Sequence, residues 1–313
     1  TRMKLFEAMS WNWENWWTQQ VHRLLPTPGD MKGLARMSEP TEPLTLWPPP
    51  ALPVEGDALM PGEGRWRPHE GFSNEIDPPV LVTFTRNQVT RPHERTLLFA
   101  FDMRRLGLQF AAGARAGEGG GPLRGIGRIP KHRRPYVIAA FDGGTDFRRT
   151  PAGEVERGRV ISPPIPGLAT VAIDTHGNSF FGLWDNPPEP DLWFGLRQAA
   201  GALIENGTVK PGVVPNWGKE WAIFDDVYAP RSAVGITEAG VLIYAWSNAS
   251  TARALGASMK LAGAVFAAQL QVGARDAGVE IFGSGIDGDE RSPGDPGMRI
   301  RDRGWQSTAS ESF

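Results

Sequence analysis

One acidic side chain stands where a backbone commonly approaches a ligand, because Asp142 is followed by Gly143 and Gly144. The apolar run at 136–141 predicts a strand, so the Asp-Gly-Gly sequence begins at the end of that strand. Paired glycines permit a sharp bend and a close approach of the backbone to a ligand. A carboxylate held there could serve as a general acid or base. A plain tight turn is the alternative interpretation of these three residues.

Basic residues flank the same predicted strand. Six of them precede it and two follow its turn: Arg124, Arg128, Lys131, His132, Arg133, Arg134, Arg148 and Arg149. Arginine binds phosphate with two parallel hydrogen bonds, so one interpretation is an anion site for a phosphate, an acidic sugar or a lipid headgroup. A solvated surface is the other interpretation, because loops at opposite ends of one strand need not meet.

The clearest order of secondary structure elements lies in residues 230–272. We predict a strand at 232–237, a tight turn at 238–240 and a second strand at 241–246. The polar residues Ser247, Asn248 and Ser250 are predicted to cap a helix that Gly263 ends. A last apolar strand covers 264–271 and ends at Gln271. The order strand, hairpin, helix, strand restricts the possible folds.

Short apolar runs between turn residues predict the rest of the core. Strands are predicted at 80–84, 96–101, 106–111 and 136–141, and a hairpin joins 169–174 to 179–184. A further helix is predicted at 192–204, ended by Asn206 and Gly207. The 38 glycines and 28 prolines favour short segments over long helices. The fold class predicted is α+β, with a β-rich mixed sheet core, a few packed helices and an extended N-terminal arm.

The two ends of the chain differ in composition from its middle. Residues 1–60 combine a Trp-rich amphipathic helix with a Pro-rich arm or linker, 61–285 form the core, and 286–313 form a polar tail. The helix carries an apolar stripe, which predicts docking on a protein partner or on its own domain. Contact with a membrane surface is the alternative, because tryptophan favours membrane–water interfaces. The stripe includes Phe6, Met9, Trp13, Trp16, Trp17, Val21 and Leu24.

Composition narrows the function classes. A formal net charge of −2 over 313 residues argues against nucleic-acid binding. The absence of cysteine excludes disulfides, thiolate metal sites and a cysteine nucleophile. The five histidines are scattered, so neither a metal nor a cofactor is predicted. No run of 18 apolar residues is present, but the first residue is Thr1, so a leader or anchor could have been removed.

Several motifs, taken in order, resemble the phosphodiester glycosidase domain family. The sequence GEGRW at 62–66 is similar to an element that leads the family's domain, and VIAAFDGGTDF at 137–147 stands where the family has a strand ending in Asn-Gly-Gly-Phe. Residues 169–184 look like the family's hairpin, and RSAVG at 231–235 resembles its Arg before Ala-x-Gly. Residues 255–271 resemble its last helix and strand, which end in Leu-Asp. The resemblance covers 61–282 and implies a core related to hydrolases of sugar-1-phosphodiesters.

The resemblance also implies a set of site residues. Asp142 and Gln271 occupy the catalytic positions, Arg231 would hold a phosphate, and Gly143 and Gly144 would let the sugar approach. Two of these residues depart from the family, because Asp142 replaces its Asn and Gln271 replaces the acid of Leu-Asp. Glycosyl transfer passes through an oxocarbenium-like state that carboxylates protonate and stabilise. An amide supplies neither a proton nor a full negative charge, although Asp142 could compensate.

Two functions therefore stay open, and with them the question of whether the chain is an enzyme. In the first, a non-catalytic or catalytically impaired domain acts as a structural or glycan-binding subunit of a bacterial cell-envelope assembly. Residues 1–60 would tether it to a protein partner. In the second, the chain is an active hydrolase of a sugar-1-phosphodiester or a related glycan linkage. The location predicted is the cell envelope, periplasmic or extracellular, and the partners predicted are a protein and a glycan or sugar phosphate, without nucleic acid.

Overall fold

The computed structural model describes residues 47–54, 59–88, 93–111, 136–144, 152–184, 193–199, 201–210, 228–273 and 278–282. These residues contain fifteen strands, one α-helix and a short 3₁₀ helix at Glu70–Phe72. The α-helix is α1 (Ala252–Leu261). The strands are β1 (Arg67–Pro68), β2 (Val80–Arg86), β3 (Arg95–Phe101), β4 (Ala139–Phe141), β5 (Glu154–Glu156), β6 (Arg159–Ser162), β7 (Ala169–Asp174), β8 (Ser179–Leu183), β9 (Trp193–Ala199), β10 (Ala202–Glu205), β11 (Thr208–Val209), β12 (Ala229–Thr237), β13 (Leu242–Ser250), β14 (Ala264–Val272) and β15 (Val279–Ile281).

The described strands form two sheets and a two-stranded ribbon. The large sheet has eight strands in the order β1-β2-β3-β13-β12-β14-β10-β11, and the small sheet has five in the order β6-β5-β9-β7-β8. Among the described strands, β4 and β15 pair only with each other, as the ribbon. Every pairing among these strands is antiparallel. The centre of the large sheet is the hairpin β12–β13 with β14 beside it.

The large sheet buries both of its faces, and successive residues of each strand serve opposite faces. Val234 and Ile236 of β12 lie on the inter-sheet face, which packs against the small sheet and the ribbon. Ala233 of β12 lies on the helix-side face, which packs against Leu255 and Met259 of α1. Because each strand serves two cores, its sequence is apolar almost throughout instead of alternating.

The fold class predicted from the sequence was wrong. The described chain is nearly all β, with one α-helix against fifteen strands, and its sheets are antiparallel and not mixed. The helix predicted at 192–204 is where the prediction failed, since this stretch forms β9 and β10. Strand β9 is central in the small sheet and buries Leu196 on one face and Ala199 on the other. Burial on both faces removes the two-residue period that would have indicated a strand.

Two other local predictions also differ from the structure. Ser247, Asn248 and Ser250 still belong to β13, and Thr251 caps α1 by accepting a hydrogen bond from the Ala254 amide at 3.1 Å. Asn248 accepts from the Arg95 amide of β3 at 3.0 Å, so this polar run extends the sheet. Residues 106–111 are not a strand but an irregular segment.

The other strand predictions in the core are confirmed, except that the strand predicted at 136–141 forms only over Ala139–Phe141. The hairpin β7–β8, the strands β2, β3, β12 and β14, and the end of α1 at Gly263 all appear. Gly263 has a φ of 84°, the left-handed conformation that commonly ends a helix and that glycine adopts without strain. Local turn chemistry and strongly apolar runs therefore located these elements correctly.

The described part of the arm packs on the core. Leu52 is buried in the helix-side core, and its amide donates to the Gly64 carbonyl at 2.8 Å. The Trp47 indole donates to the Pro78 carbonyl at 3.1 Å. The Trp-rich helix and the polar tail, 286–313, lie outside the described residues. Residues 47–54 thus belong structurally with the core that follows them.

Candidate functional site

Asp142 lies at the junction of the ribbon and the inter-sheet face of the large sheet. It follows β4, and its backbone continues the pairing with β15 by donating to the Gly278 carbonyl at 3.2 Å. Its Oδ1 accepts from the Tyr244 hydroxyl at 2.6 Å and from the Gly278 amide at 3.0 Å. Its Oδ2 accepts from the Ser232 hydroxyl at 2.7 Å. The side chain is 0% exposed.

This environment suits an anchoring acid. Burying a carboxylate is costly unless donors compensate for the lost water, and here donors reach both oxygens. The donors come from β12, from β13 and from the residue before β15, so one carboxylate joins the ribbon to the centre of the large sheet. A ligand would have to displace at least one of these bonds to reach Asp142.

Gln271 belongs to the same network. The backbone N–H of Gln271 donates to Ser232 Oγ at 3.0 Å, and the side-chain Nε2 of Gln271 donates to the Gly144 carbonyl. The hydroxyl of Ser232 therefore bridges Asp142 and Gln271. The structure brings these two sequence-predicted residues together, although 129 positions separate them along the chain.

A β-bulge turns Gln271 toward Asp142. In the β12–β14 pairing, Ala233 faces Gln269 whereas Arg231 faces Val272, so β14 has one extra residue between these positions. Leu270 belongs to the inter-sheet core and Val272 to the helix-side core, and Gln271 bonds to Gly144 on the inter-sheet side. In a regular strand Gln271 would point to the face opposite Leu270. Bulges commonly redirect a side chain in this way.

Gly143 and Gly144 carry the backbone past a buried ion pair. The Gly143 carbonyl accepts from Arg197 Nε at 2.9 Å, and Arg197 Nη1 lies 3.6 Å from Glu154 Oε1. The side chains of Arg197 and Glu154 are each 5% exposed, and they face each other across β9 and β5. Gly144 has a φ of 108°, a conformation that a side chain would strain.

Sequence reasoning missed four polar residues of this site, namely Glu154, Arg197, Ser232 and Tyr244. Ser232 and Tyr244 lay in segments correctly predicted as strands, and their hydroxyls were a usable signal, because a buried hydroxyl needs a partner. Arg197 sat in a segment predicted as a helix, which concealed its cross-strand position opposite Glu154. An arginine within an otherwise apolar run was the remaining signal there.

Arg231 is not brought to Asp142. It precedes Ser232 in β12, so the two side chains point to opposite faces of the large sheet. The partners of Arg231 agree with this, since it pairs with Val272 of the helix-side core and its Nε donates to the Ser250 carbonyl at 2.9 Å. Arg231 therefore lies beside the start of α1, and Asp142 lies on the other side of the sheet.

The space beside Asp142 is small. A cavity of about 20 Å³ is lined by Asp142, Gly143, Arg197 and apolar neighbours that include Leu270. One water molecule occupies about 30 Å³ in the liquid, and a site of this size holds about one. It has no room for a sugar ring. In the described ranges no three His, Asp or Glu side chains come close enough to hold a metal ion.

Comparisons with known proteins give structural similarity only. No family model matches the chain, and no curated protein matches it. Among solved structures it is similar to the catalytic domain of zebrafish N-acetylglucosamine-1-phosphodiester alpha-N-acetylglucosaminidase auto-inhibited by its pro-peptide. The identity is 16% and the TM-score 0.49, over 79% of this chain and 86% of that chain.

Two further solved structures are similar. One is a hypothetical protein from Synechocystis, with 12% identity and a TM-score of 0.49 over 75% of this chain and 61% of that chain. The other is a protein from Burkholderia pseudomallei K96243 described as exported, with 11% identity and a TM-score of 0.38 over 62% and 70%. No helix in the described part of the chain is long and apolar enough to span a membrane. These similarities concern the fold and assign no activity.

Proposed function

We propose that this chain is a non-catalytic, phosphodiester glycosidase-like domain that acts as a structural or glycan-binding subunit of a bacterial cell-envelope assembly. The observation that carries the proposal is the state of Asp142, whose carboxylate is buried and accepts three hydrogen bonds from within the protein. Asp142, the one carboxylate left at the two catalytic positions that the resemblance implies, is thus engaged in holding the fold.

The chemistry of glycoside hydrolysis supports this interpretation. Such a reaction needs one group that protonates the leaving oxygen and a second carboxylate on the opposite side of the sugar. Here the second position holds Gln271, whose amide contacts Gly144 and cannot supply the charge. Arg231, the predicted phosphate ligand, lies on the other face of the large sheet. The three groups do not enclose one common space.

One observation favours the alternative, an active hydrolase of a sugar-1-phosphodiester. Asp142 and Gln271 are joined through Ser232, and Arg197 adds a buried cation beside Gly143. For hydrolysis the Asp-Gly-Gly segment would have to move, so that Asp142 exchanges its internal partners for the substrate. The same experiment therefore decides between the two functions.

The deciding experiment measures sugar release from a simple substrate, the methyl phosphodiester of N-acetylglucosamine-1-phosphate. We expect no release above the buffer rate from the natural protein. Calorimetric titration of the same diester then separates a glycan-binding role from a purely structural one. Release of sugar that Asp142→Asn abolishes, while Asp77→Asn at an exposed acid leaves it intact, would establish the hydrolase and end the non-catalytic proposal.

The partner is tested by truncation, and the structure shows where to cut. Residues 47–54 contact the core, so removal of 1–60 would also remove the buried Leu52, whose burial contributes about 1.5–3 kcal/mol. A chain that lacks only 1–46 should keep the stability of the core and lose binding to its envelope partner. A shortened chain that still co-purifies with that partner would contradict a tethering role for this segment.

A further inference from the structure

A second and much larger cavity lies at the open end of the inter-sheet core. Its volume is about 510 Å³, within the range of about 300–1,000 Å³ that small-molecule pockets occupy. One wall is formed by the irregular segment 102–111 together with Phe101 at the end of β3, and another is formed by residues 136–141. The turn between β5 and β6 and the start of β9 complete it. Phe141 lines both this cavity and the small one beside Asp142, so the two are neighbours.

The lining of this cavity is largely apolar and includes unusually exposed aromatic side chains. Leu108, Phe110 and Ile138 pack on its inner side against the inter-sheet core. Tyr136 is 84% exposed and Phe194 is 36% exposed, and no other Phe, Tyr or Trp in the described ranges is as exposed as these two. Exposed apolar surface gathered around a concave site indicates a binding function. The occupant must therefore offer an apolar part.

Among the described residues that line the cavity, one cation has no protein partner. Arg105 is held by Asp102 at 2.8 Å, and its Nη1 donates to the Asp77 carbonyl at 2.8 Å. Glu156 faces Arg159 at 3.6 Å. The guanidinium of Arg157, by contrast, has no hydrogen bond or ion pair within the described part of the chain. An occupant with one anionic group would complement that guanidinium.

The backbone at Arg157 strengthens this assignment. Arg157 and Gly158 form the two-residue turn between β5 and β6, with φ values of 52° and 74°. Such turns favour Asn, Asp or Gly at the first position, and a long side chain is disfavoured there. Local turn chemistry therefore does not explain an arginine at this position, whereas contact with a ligand does.

We propose that this cavity binds an amphiphilic small molecule, with an apolar chain or ring inside and a single phosphate or carboxylate group on Arg157. The cavity would accept a free amphiphile or the end of a lipid equally, because both present the same chemistry. This proposal goes beyond the function proposed above and does not depend on it, since it involves neither Asp142 nor a sugar.

The test is calorimetric titration of the full chain with four probes, which are octyl phosphate, octanoate, octanol and inorganic phosphate. Octyl phosphate and octanoate should bind with a stoichiometry of one. The affinity for octanol should be lower by a factor of about ten or more, because octanol lacks the anionic group that a charge-assisted bond requires. Inorganic phosphate should give no measurable heat. Vesicles of phosphatidic acid then show whether a lipid-borne phosphate competes with octyl phosphate.

Two variants locate the site. Arg157→Asn suits the turn, so the fold should survive while the affinity for octyl phosphate falls about tenfold and that for octanol does not change. Arg65→Asn, at an exposed arginine outside the cavity, is the matched control. Gly107→Leu should weaken every probe by occupying the cavity, and the site tolerates a side chain because an added Cβ would meet no atom within 4 Å.

Several outcomes would overturn the proposal. Equal affinity for octanol and octyl phosphate, or an unchanged affinity in Arg157→Asn, would remove the role of the guanidinium. Binding of many octyl chains per protein would indicate nonspecific adsorption. A dimer that octyl phosphate dissociates would identify a second copy of the chain as the occupant. None of these results bears on the sugar-release assay, because no probe contains a sugar.

Discussion

The site around Asp142 and the cavity beside Arg157 lie next to each other but use polar groups in opposite ways. At Asp142, hydroxyls, amides and a carbonyl from separate elements are matched to one another and are shielded from solvent. At the larger cavity, apolar walls and exposed aromatics surround a single guanidinium that has no described partner. The comparison teaches that polar residues clustered at positions that match a family's motifs do not by themselves make a ligand site. Buried polar groups that bond to one another indicate a structural role. A guanidinium without a described partner at the edge of an open apolar cavity indicates binding.

Removing the carboxylate of Asp142 is the most sensitive test of the difference between the two regions. Asp142→Ala should lower the free energy of unfolding by about 3–5 kcal/mol, because Ser232, Tyr244 and the Gly278 amide all lose a buried acceptor. Urea denaturation measures the change, and Asp142→Asn supplies a milder variant if the alanine form does not fold. Asp77→Ala, at an exposed acid, should cost less than about 1 kcal/mol. Equal losses in the two alanine variants would refute an anchoring role for Asp142.

Acid should destabilise the fold through the buried His69, which lies near the Asp142 network. Burial lowers the pKa of His69 to about 4. Its ring lies tilted beside Phe99, with 6.2 Å between the ring centroids, and Phe99 lies beside Tyr244 of the Asp142 network. Because the folded pKa is below the unfolded value of 6.5, stability is fully present above pH 6.5 and is lost as the pH falls toward 4. The loss should reach about 3 kcal/mol, and urea midpoints measured between pH 7 and pH 4 should follow it.

Two variants isolate this contribution. His69→Asn keeps an acceptor for the Gly71 amide and should flatten the pH dependence between pH 6.5 and 4. His176→Asn, at an exposed histidine, should leave it unchanged. Burial raises the pKa of Asp102, but hydrogen bonds from Arg104 and Arg105 outweigh this effect and hold it below its ordinary value. Its contribution is therefore lost only at a pH below about 4. A slope that persists in His69→Asn would assign the acid sensitivity elsewhere.

Two glycine substitutions should change the free energy of unfolding least, and they should change it in opposite directions. Gly144→Ala in the network should cost about 1–3 kcal/mol, because its φ of 108° strains any side chain. Gly107→Ala in the cavity wall should be neutral or stabilise by about 0.4–1 kcal/mol, since there is space for a Cβ and the unfolded chain loses freedom. Thermal unfolding of both variants tests the contrast, and stabilisation by Gly144→Ala would contradict the geometry given for the Asp-Gly-Gly segment.

Elements were predicted correctly where their secondary structure depends on neighbouring residues in the chain. The hairpin β12–β13, the helix that ends at Gly263 and the strand β14 were predictable, because turn residues and apolar runs act on their immediate neighbours. The family resemblance selected Asp142 and Gln271 as a pair, and the structure joins them through Ser232. Strand β9 was taken for a helix, because its residues are buried by two layers at once and show no clear period.

The amino-acid sequence by itself determined the positions of the central strands of the large sheet and of the β7–β8 hairpin. The family resemblance of its motifs added an acid and an amide that prove to be neighbours. Tertiary structure decided what those residues can do. The extra residue in β14 turned Gln271 onto the inter-sheet face, and the alternation of β12 placed Arg231 on the other face. Donors from three separate segments then enclosed Asp142. The physical reason is that exposure, partner choice and the face of a sheet depend on contacts between distant segments, which no local pattern encodes.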